Sequence, residues 1–398
     1  MNAAEAKHPP LPRNVKLLGW ASLLNDVASE MVYPLLPQFL VQVLGGNKLY
    51  LGLIEGAADT AASLLKLGSG GWSDRRGARK GFVVFGYALA GLLRPLLAVI
   101  WAPWQLLAIR VGDRVGKGLR TSPRDAMIAD STAPELRGRA FGFHRAMDHL
   151  GAALGPVLAA AFLWCWPGQL RWLFLLTLAP GLVIVPLLLF GLREAPPGGQ
   201  EAARGSWTLA PFDRRFRIYL VAVLVFSLSN SSDAFLLLRA GELGVATALL
   251  PLLWCAFHLV KSAGNALAGR SVNRFGPRAM ILVGWCLYAA VYLLFGLATA
   301  AWHAWALFLG YAFFFALTEP AEKTLVASLV DSDHRGLAYG WFNFAIGLAT
   351  LPSSLIFGML YQQYGALAAF GCGSALAVTA AGILLPVSLP RTPRVDSR

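Results

Sequence analysis

The sequence is poor in charged residues, and in acidic residues above all. Only 14% of its 398 residues are charged, 57% are hydrophobic, and 21 Asp and Glu stand against 34 Lys and Arg. A soluble domain carries about 25% charged residues, so this composition argues against a soluble globular protein. The mean hydropathy of +0.57 points the same way.

Cysteine is scarce as well, and the four cysteines form no CxxC pair. A disulfide framework and a Cys-based metal site are therefore not expected. The sequence also lacks a His-Glu-x-x-His pattern, a Gly-x-Ser-x-Gly elbow and a phosphate-binding loop. We accordingly expect no enzyme, no bound metal and no cofactor. No cleavable signal peptide is expected, because the polar N-terminal stretch is not followed by a short apolar core and cleavage site.

Long apolar stretches, in contrast, recur from end to end, as in "FVVFGYALAGLLRPLLAVIW" at 82–101. About 20 apolar residues cross a bilayer as a helix, and this criterion predicts an all-α polytopic membrane protein with about 12 transmembrane helices. The predicted helices lie near 16–42, 49–69, 82–101, 104–127, 140–165, 171–192, 217–238, 244–268, 279–300, 303–325, 338–362 and 366–389.

Basic residues crowd alternate connections between these helices and recur in both terminal segments. An excess of Lys and Arg marks the cytoplasmic side, so we predict a multi-pass membrane protein with both termini in the cytoplasm. The net charge of +13 is then a topology signal. We expect no nucleic-acid partner, because no soluble basic domain is present. The expected partners are the lipid bilayer and a small-molecule substrate, and the expected state is a monomer.

Two short motifs of the first half of the sequence recur in the second half. "RGRAFGF" at 137–143 returns as "RGLAYGW" at 335–341, and "GGWSDRRG" at 70–77 returns as "GRSVNRFG" at 269–276. Between the copies lies a polar, Pro/Gly-rich segment. We therefore predict two pseudo-symmetric six-helix halves, 1–192 and 217–398, joined by a cytoplasmic linker at 193–216. Such halves can rock about a site between them.

Charged residues inside predicted helices mark candidate functional sites, because a charge at mid-membrane costs at least about 2.5–3.5 kcal/mol. Asp26 and Glu30 are four residues apart in predicted helix 1 and share one face. An ion pair of Asp26 with Arg114, or of Glu30 with Arg110, is plausible at this depth. The alternative is a satisfied structural network.

Spacing also allows an Asp113–Lys117 pair within predicted helix 4. The candidates for carrying a proton are Asp26, Glu30, Asp113 and Asp233. The candidates for lining a substrate cavity are Asn25, Arg110, Arg114, Asn230, His258, Lys261 and Glu319.

The charged run at 70–81 resembles the signature of the major facilitator superfamily between helices 2 and 3. The matching residues are Gly70, Asp74, Arg75, Gly77, Arg79 and Lys80, with Ala78 inserted before the basic pair. The resemblance implies a twelve-helix transporter fold and a conformational latch, in which Asp74 contacts the start of helix 11 in one conformation only. A local pair of Asp74 with a neighbouring arginine is the alternative.

Predicted helix 5 resembles the pattern of proton-coupled antiporters, in particular drug exporters. Gly142, Gly151, Gly155 and Pro156 keep the spacing of that pattern, although alanines replace its closing glycine pair. Small residues let helices approach closely, and Pro156 removes a backbone donor. Ordinary helix packing is the alternative reading.

The resemblance implies a secondary transporter of small organic molecules in the cell inner membrane that works by alternating access, with protons as the coupling ion. Efflux by antiport is the first hypothesis. Uptake of a polar metabolite or metal chelate by symport is the second. A receptor or scaffold without turnover is a third, and no sensory domain supports it.

Overall fold

The computed structural model describes residues 10–76, 79–133, 136–194, 208–331 and 334–387. Across these ranges the chain forms helices and connecting turns and no β-strand. The all-α class predicted from the apolar stretches is therefore confirmed. The predicted linker lies partly, and the C-terminal tail wholly, outside the described residues.

Fourteen α-helices follow one another in the described chain. They are α1 Arg13–Val32, α2 Leu36–Gln38, α3 Lys48–Arg76, α4 Arg79–Leu93, α5 Pro103–Asp130, α6 Arg137–Cys165, α7 Leu170–Leu176, α8 Leu178–Gly191, α9 Arg214–Ser229, α10 Ala234–Glu242, α11 Leu250–Phe275, α12 Pro277–Leu297, α13 Ala301–Leu329 and α14 Arg335–Leu384. Short 3-10 segments at Tyr33–Leu35 and Arg94–Ala98 continue α1 and α4. The backbone of α14 leaves the helical region at Gly365, where φ is +82°, so two helical segments meet there.

Eight helical stretches in the described ranges are long and apolar enough to cross a membrane. They are Arg79–Ala98, Arg139–Cys165, Leu170–Gly191, Arg214–Glu242, Thr247–Gly264, Pro277–Leu297, Ala301–Leu329 and Leu337–Leu384. Three long helices, α1, α3 and α5, fall outside this set. Each carries charged residues along its length, such as Asp26, Glu55 and Arg110. The count of twelve spans remains a prediction.

Two compact units make up the chain, and their boundaries cross the helices. The first comprises Met1–Tyr33, Ala61–Ile100 and Ala108–Ala202, and the second comprises Pro34–Thr60, Trp101–Leu107 and Ala203–Arg398. The division into halves at 192 and 217 remains a prediction. The early segment at 34–60 joins the second unit because of contacts such as that of Gln38, whose Nε2 donates to the carbonyl of Leu237 at 3.4 Å.

In the first unit, α1 packs against α6 and α8. Its core includes Val15, Leu18, Tyr87 and Leu188, all 1% exposed or less. In the second unit, α9 and α12 pack against α14, and α11 packs against α13. Stacked aromatic rings fill that interior, including Phe226 on Trp285 with centroids 4.6 Å apart. Both units thus bury apolar side chains along helices that lie far apart in the sequence.

Candidate functional site

Two glycines of the antiporter-like pattern bring α6 against the backbone of α1. A Cβ at Gly151 would lie 2.6 Å from the carbonyl oxygen of Leu23, and a Cβ at Gly155 would lie 2.6 Å from that of Val27. Those contacts fall at the level of Asp26 and Glu30, whose Cβ atoms would lie 2.9 and 3.1 Å from the added carbons. Only glycine allows this approach, so the spacing in α6 sets the packing beside the acidic face of α1.

Gly142, the first glycine of the pattern, behaves differently. Nothing lies within 4 Å of the position that its Cβ would occupy. Pro156 lies inside α6, directly after Gly155. The close-packing part of the pattern is therefore confined to its central and later positions.

Asp26 takes its side-chain hydrogen bond from the adjacent residue. Asn25 Nδ2 donates to Asp26 Oδ1 at 2.9 Å. The Asp26–Arg114 ion pair considered from the sequence stays a prediction. Because Asn25 precedes Asp26 directly on α1, this hydrogen bond forms within one helix.

Arg94, which the sequence reasoning did not single out, connects this amide to Asp113. Its NH1 donates to the backbone oxygen of Asn25 at 2.9 Å and to Asn25 Oδ1 at 3.0 Å. Its NH2 lies 2.8 Å from Asp113 Oδ1, and both side chains are less than one-tenth exposed. The sequence did contain a signal for this role, namely an arginine inside the apolar stretch 82–101. A guanidinium buried there requires partners.

Asp113 is an ion-pair residue in this structure. Besides Arg94, it faces Arg110, whose NH1 lies 3.9 Å from Asp113 Oδ2. The guanidinium of Arg94 reaches this carboxylate from a neighbouring helix, and the Asp113–Lys117 pair allowed by their spacing stays a prediction. Arg110 also lies over the ring of Tyr33, with its Cζ 5.4 Å from the centroid.

Asp148 on α6 also faces α1. Ser22 donates its hydroxyl to Asp148 Oδ1, and the Nδ1 of His144 lies 3.5 Å from Oδ2. Asp148 is a charged neighbour of Asp26, together with Lys117 and Arg120 of α5. The first unit thus gathers charges of both signs around one turn of α1.

The second unit contains a break in a predicted membrane helix. Residues 230–233, between α9 and α10, are not helical. Side chains donate to backbone oxygens at the break: Tyr288 donates its hydroxyl to the carbonyl of Ser229 at 2.8 Å, and Ser353 donates to that of Asn230 at 3.4 Å. Non-helical backbone at membrane depth persists only where protein or a water-filled cavity satisfies it.

Asp233 lies at the end of this break and accepts a hydrogen bond of 2.7 Å from the hydroxyl of Tyr311. The same hydroxyl lies 3.4 Å from Asn230 Oδ1, so the structure brings these two sequence candidates together. Tyr311 belongs to a cluster of buried tyrosines with Tyr288 and Tyr292. These aromatic partners could not be predicted from the sequence, because tyrosine spacing alone does not separate packing from hydrogen bonding.

Three further candidates meet on α11 and α13. Lys261 Nζ lies 2.7 Å from Glu319 Oε1 and 3.8 Å from the ring centroid of Phe315. His258, one turn earlier on α11, packs edge-on against Trp254 with centroids 4.6 Å apart. Lys261, which was predicted to face a substrate, thus forms an ion pair with Glu319 of the adjacent helix.

The signature segment is only partly described. Gly77, the surroundings of Gly70 and the side chains of Asp74 and Arg75 lie outside the described residues. Arg79 forms an ion pair with Asp130. Glu194 accepts the backbone N–H of Arg79 at 2.8 Å and that of Lys80 at 3.1 Å, while Lys80 Nζ donates to the Leu192 carbonyl at 2.8 Å.

Glu194 therefore places a carboxylate at the N-terminus of α4. A carboxylate in that position typically contributes about 0.3–1 kcal/mol. The basic pair of the signature is thereby fixed within the first unit. Neither Glu194 nor Asp130 was among the sequence candidates.

The chain has several membrane-spanning helices, one interrupted helix and buried ion pairs within apolar stretches. These features are typical of polytopic proteins that move small solutes across membranes. The chain belongs to the Major Facilitator Superfamily, whose family profile matches residues 18–253 and 219–398. It is a transporter of that family and not an enzyme.

Two curated relatives and one solved structure illustrate the likeness. An MFS-type transporter of Methanocaldococcus jannaschii is 31% identical over 94% of this chain and 95% of its own. The multidrug resistance protein MdtH of Yersinia pestis is 27% identical over 82% of this chain and 81% of its own. The crystal structure of the nucleoside transporter NupG matches with a TM-score of 0.78 at 12% identity, covering 94% of this chain and 98% of that one. The last match concerns the fold alone.

Proposed function

We propose that this protein is a proton-coupled transporter that exports a small organic molecule by alternating access. The observation that carries the proposal is the environment of Asp26, whose side-chain hydrogen bond in the described chain comes from the amide of Asn25. This hydrogen bond comes from a neutral amide, and Lys117 and Arg120 act on Asp26 as charged neighbours. Asp113, in contrast, lies against the guanidinium groups of Arg94 and Arg110 at ion-pair distance.

The packing of α6 on α1 supports the same assignment. Gly151 and Gly155 hold α6 within backbone contact of the turn that carries Asp26. A change of charge at Asp26 therefore acts directly on a helix pair with no room for adjustment, which is a way to link proton exchange to helix movement. Efflux is favoured because MdtH, which matches most of the chain, bears the name of a multidrug resistance protein.

A second candidate is proton symport of a polar metabolite into the cell. The cationic residues proposed to line the substrate cavity, such as Arg110 and Lys261, suit a polar or anionic substrate better than a hydrophobic drug. A fold neighbour, NupG, is named a nucleoside transporter. In both versions the proton is the coupling ion, no cofactor takes part, and the protein is a monomer in the inner membrane with cytoplasmic termini.

The decisive experiment uses purified protein in liposomes that contain a pH-sensitive dye. A thermal-shift screen against drugs, organic acids, sugars and nucleosides first supplies a ligand, because binding to the folded state raises stability. The ligand is then added with and without an imposed pH gradient. Antiport predicts proton movement opposite to the ligand, and symport predicts movement with it. A ligand flux that is the same with and without the pH gradient, and that moves no protons, would exclude proton coupling.

A further inference from the structure

We propose that Arg94 is a positioning residue for proton exchange at Asp26, because it holds the amide of Asn25 with its N–H, and not its carbonyl, toward the carboxylate. This inference rests on the proposed coupling role of Asp26. Arg94 acts through Asn25, to which its guanidinium donates.

The geometry leaves little freedom to the Asn25 side chain. One nitrogen of Arg94 donates to both oxygens of Asn25, backbone and side chain, at 2.9 and 3.0 Å. The other nitrogen is held by Asp113 at 2.8 Å. Arg94 is 6% exposed, Asn25 is 3% exposed and Asp113 is 2% exposed. At that burial, water is a poor substitute for a lost protein partner.

The chemistry of the amide then determines what Asn25 offers to Asp26. A carboxamide has one acceptor oxygen and a nitrogen with two donors. Since Oδ1 faces the guanidinium, Nδ2 is the group that faces Asp26. A flipped amide would oppose its own N–H groups to those of Arg94 and leave buried donors without acceptors.

The consequence is a preference between the two protonation states. Asn25 donates through Nδ2 to the Asp26 carboxylate anion, which accepts. Its oxygen Oδ1 faces Arg94 and is not placed to accept from a protonated Asp26 carboxyl group. Arg94 therefore supports the proton-free form of Asp26 through the amide. Loading of a proton weakens this hydrogen bond, and release restores it.

Other charged groups also face this turn of α1. They are Asp148 and His144 from α6, Lys117 and Arg120 from α5, and Glu30 on α1 itself. The packed helix α8 contributes no charged residue within Leu178–Gly191. The donor to Asn25 Oδ1 in the described chain is Arg94 and none of these residues, so a variant at Arg94 that keeps its charge isolates the positioning effect.

Two variants test the inference. Arg94→Lys keeps the positive charge beside Asp113 but loses the fork that spans Asn25 and Asp113, and Asn25→Ala removes the amide. Each is expected to move the midpoint of the pH profile of gradient-driven transport upward by about one unit, the size of one hydrogen bond to a charged group. The direction follows because loss of a donor to the anion makes proton release require a higher pH.

The same shift should appear without substrate in an infrared titration of the carboxyl band, taken as the difference between each protein and its Asp26→Asn counterpart. The double variant Arg94→Lys with Asn25→Ala should shift no further than Asn25→Ala alone. If Arg94→Lys does not fold, Asn25→Ala still provides the titration. An unmoved midpoint in either variant, or additive shifts in the double variant, would overturn the positioning role.

The failure of the proposed function gives a different result. If Asp26→Asn by itself retains gradient-driven transport, Asp26 does not carry the proton and the coupling role fails. If Asp26→Asn abolishes coupling while Arg94→Lys leaves the midpoint unchanged, the inference about Arg94 alone is wrong.

Discussion

Lys48 and Glu242 form an ion pair between the start of α3 and the end of α10, with Lys48 Nζ 2.8 Å from Glu242 Oε1. The hydroxyl of Tyr361 donates to the same glutamate, and the ammonium of Lys48 lies 3.8 Å from the Tyr361 ring centroid. Three side chains thus tie α3, α10 and α14 together at one end of the second unit.

This ion pair should contribute modestly to stability. The two side chains are 23% and 31% exposed, and pairs of that kind are worth about 0.2–1 kcal/mol. Lys48→Glu and Glu242→Lys should each lower the melting temperature, while the double exchange should recover most of the loss. The measurement is a thermal double-mutant cycle at low and high salt. Additive losses in the double variant would show that the two charges do not interact.

The glycines of α6 should differ sharply in their tolerance of a side chain. Gly155→Val places atoms against the Val27 carbonyl, where even a Cβ would lie at 2.6 Å, so folding yield and thermal stability should fall. Gly142→Ala should be neutral or stabilising, because its Cβ meets nothing within 4 Å and alanine favours helix by about 1 kcal/mol. Equal effects at the two positions, measured by size-exclusion profile and thermal unfolding, would contradict the packing argument.

Asp26→Asn should abolish coupling while leaving substrate exchange, since exchange needs no net proton movement. The variant mimics the protonated carboxyl group at every pH, so substrate binding should lose its dependence on pH. Exchange and gradient-driven flux are measured in the same liposomes. Asp213→Asn is the matched control, because Asp213 is exposed and asparagine can also accept the Phe216 N–H that Asp213 caps at 2.9 Å. Loss of coupling in the control as well would point to a general effect of removing acids.

Asp113→Leu should destabilise the fold, in contrast to Asp26→Asn. It leaves Arg94 and Arg110 buried without their carboxylate, and removal of one partner of a buried pair costs about 3–5 kcal/mol. A second change, Arg94→Met, should recover part of the loss, because one uncompensated cation is gone. Expression and melting temperature provide the readout. A single variant as stable as the parent would show that Asp113 is not an ion-pair residue.

Asp74→Asn tests the latch that the family signature implies. The charge is removed and the shape kept, so transport should fall while expression and thermal stability stay near those of the parent. The matched control is Asp130→Asn, which removes the partner of Arg79 within the first unit and should affect stability instead. Unchanged transport by Asp74→Asn would remove Asp74 from the mechanism.

Several properties were accessible from the sequence because they depend on local composition. Apolar stretches of bilayer length predict membrane helices wherever they occur, and the described ranges form helices joined by turns, without a β-strand. Glycine spacing in α6 indicated close approach to another helix, and Gly151 and Gly155 make that approach. A charge within a membrane-spanning stretch costs free energy whatever its neighbours are, so Asp26 and Asp233 could be singled out from the sequence.

The partners of those charges were decided by tertiary structure alone. Spacing along one helix suggested Lys117 for Asp113, but Arg94 reaches Asp113 from a segment that the sequence reasoning had treated as apolar. Likewise, Tyr311 reaches Asp233 from 78 residues away. Spacing within a helix reports which side chains share a face, whereas the depth and rotation of one helix against another depend on packing along its whole length. Those two variables select which guanidinium or hydroxyl reaches each carboxylate.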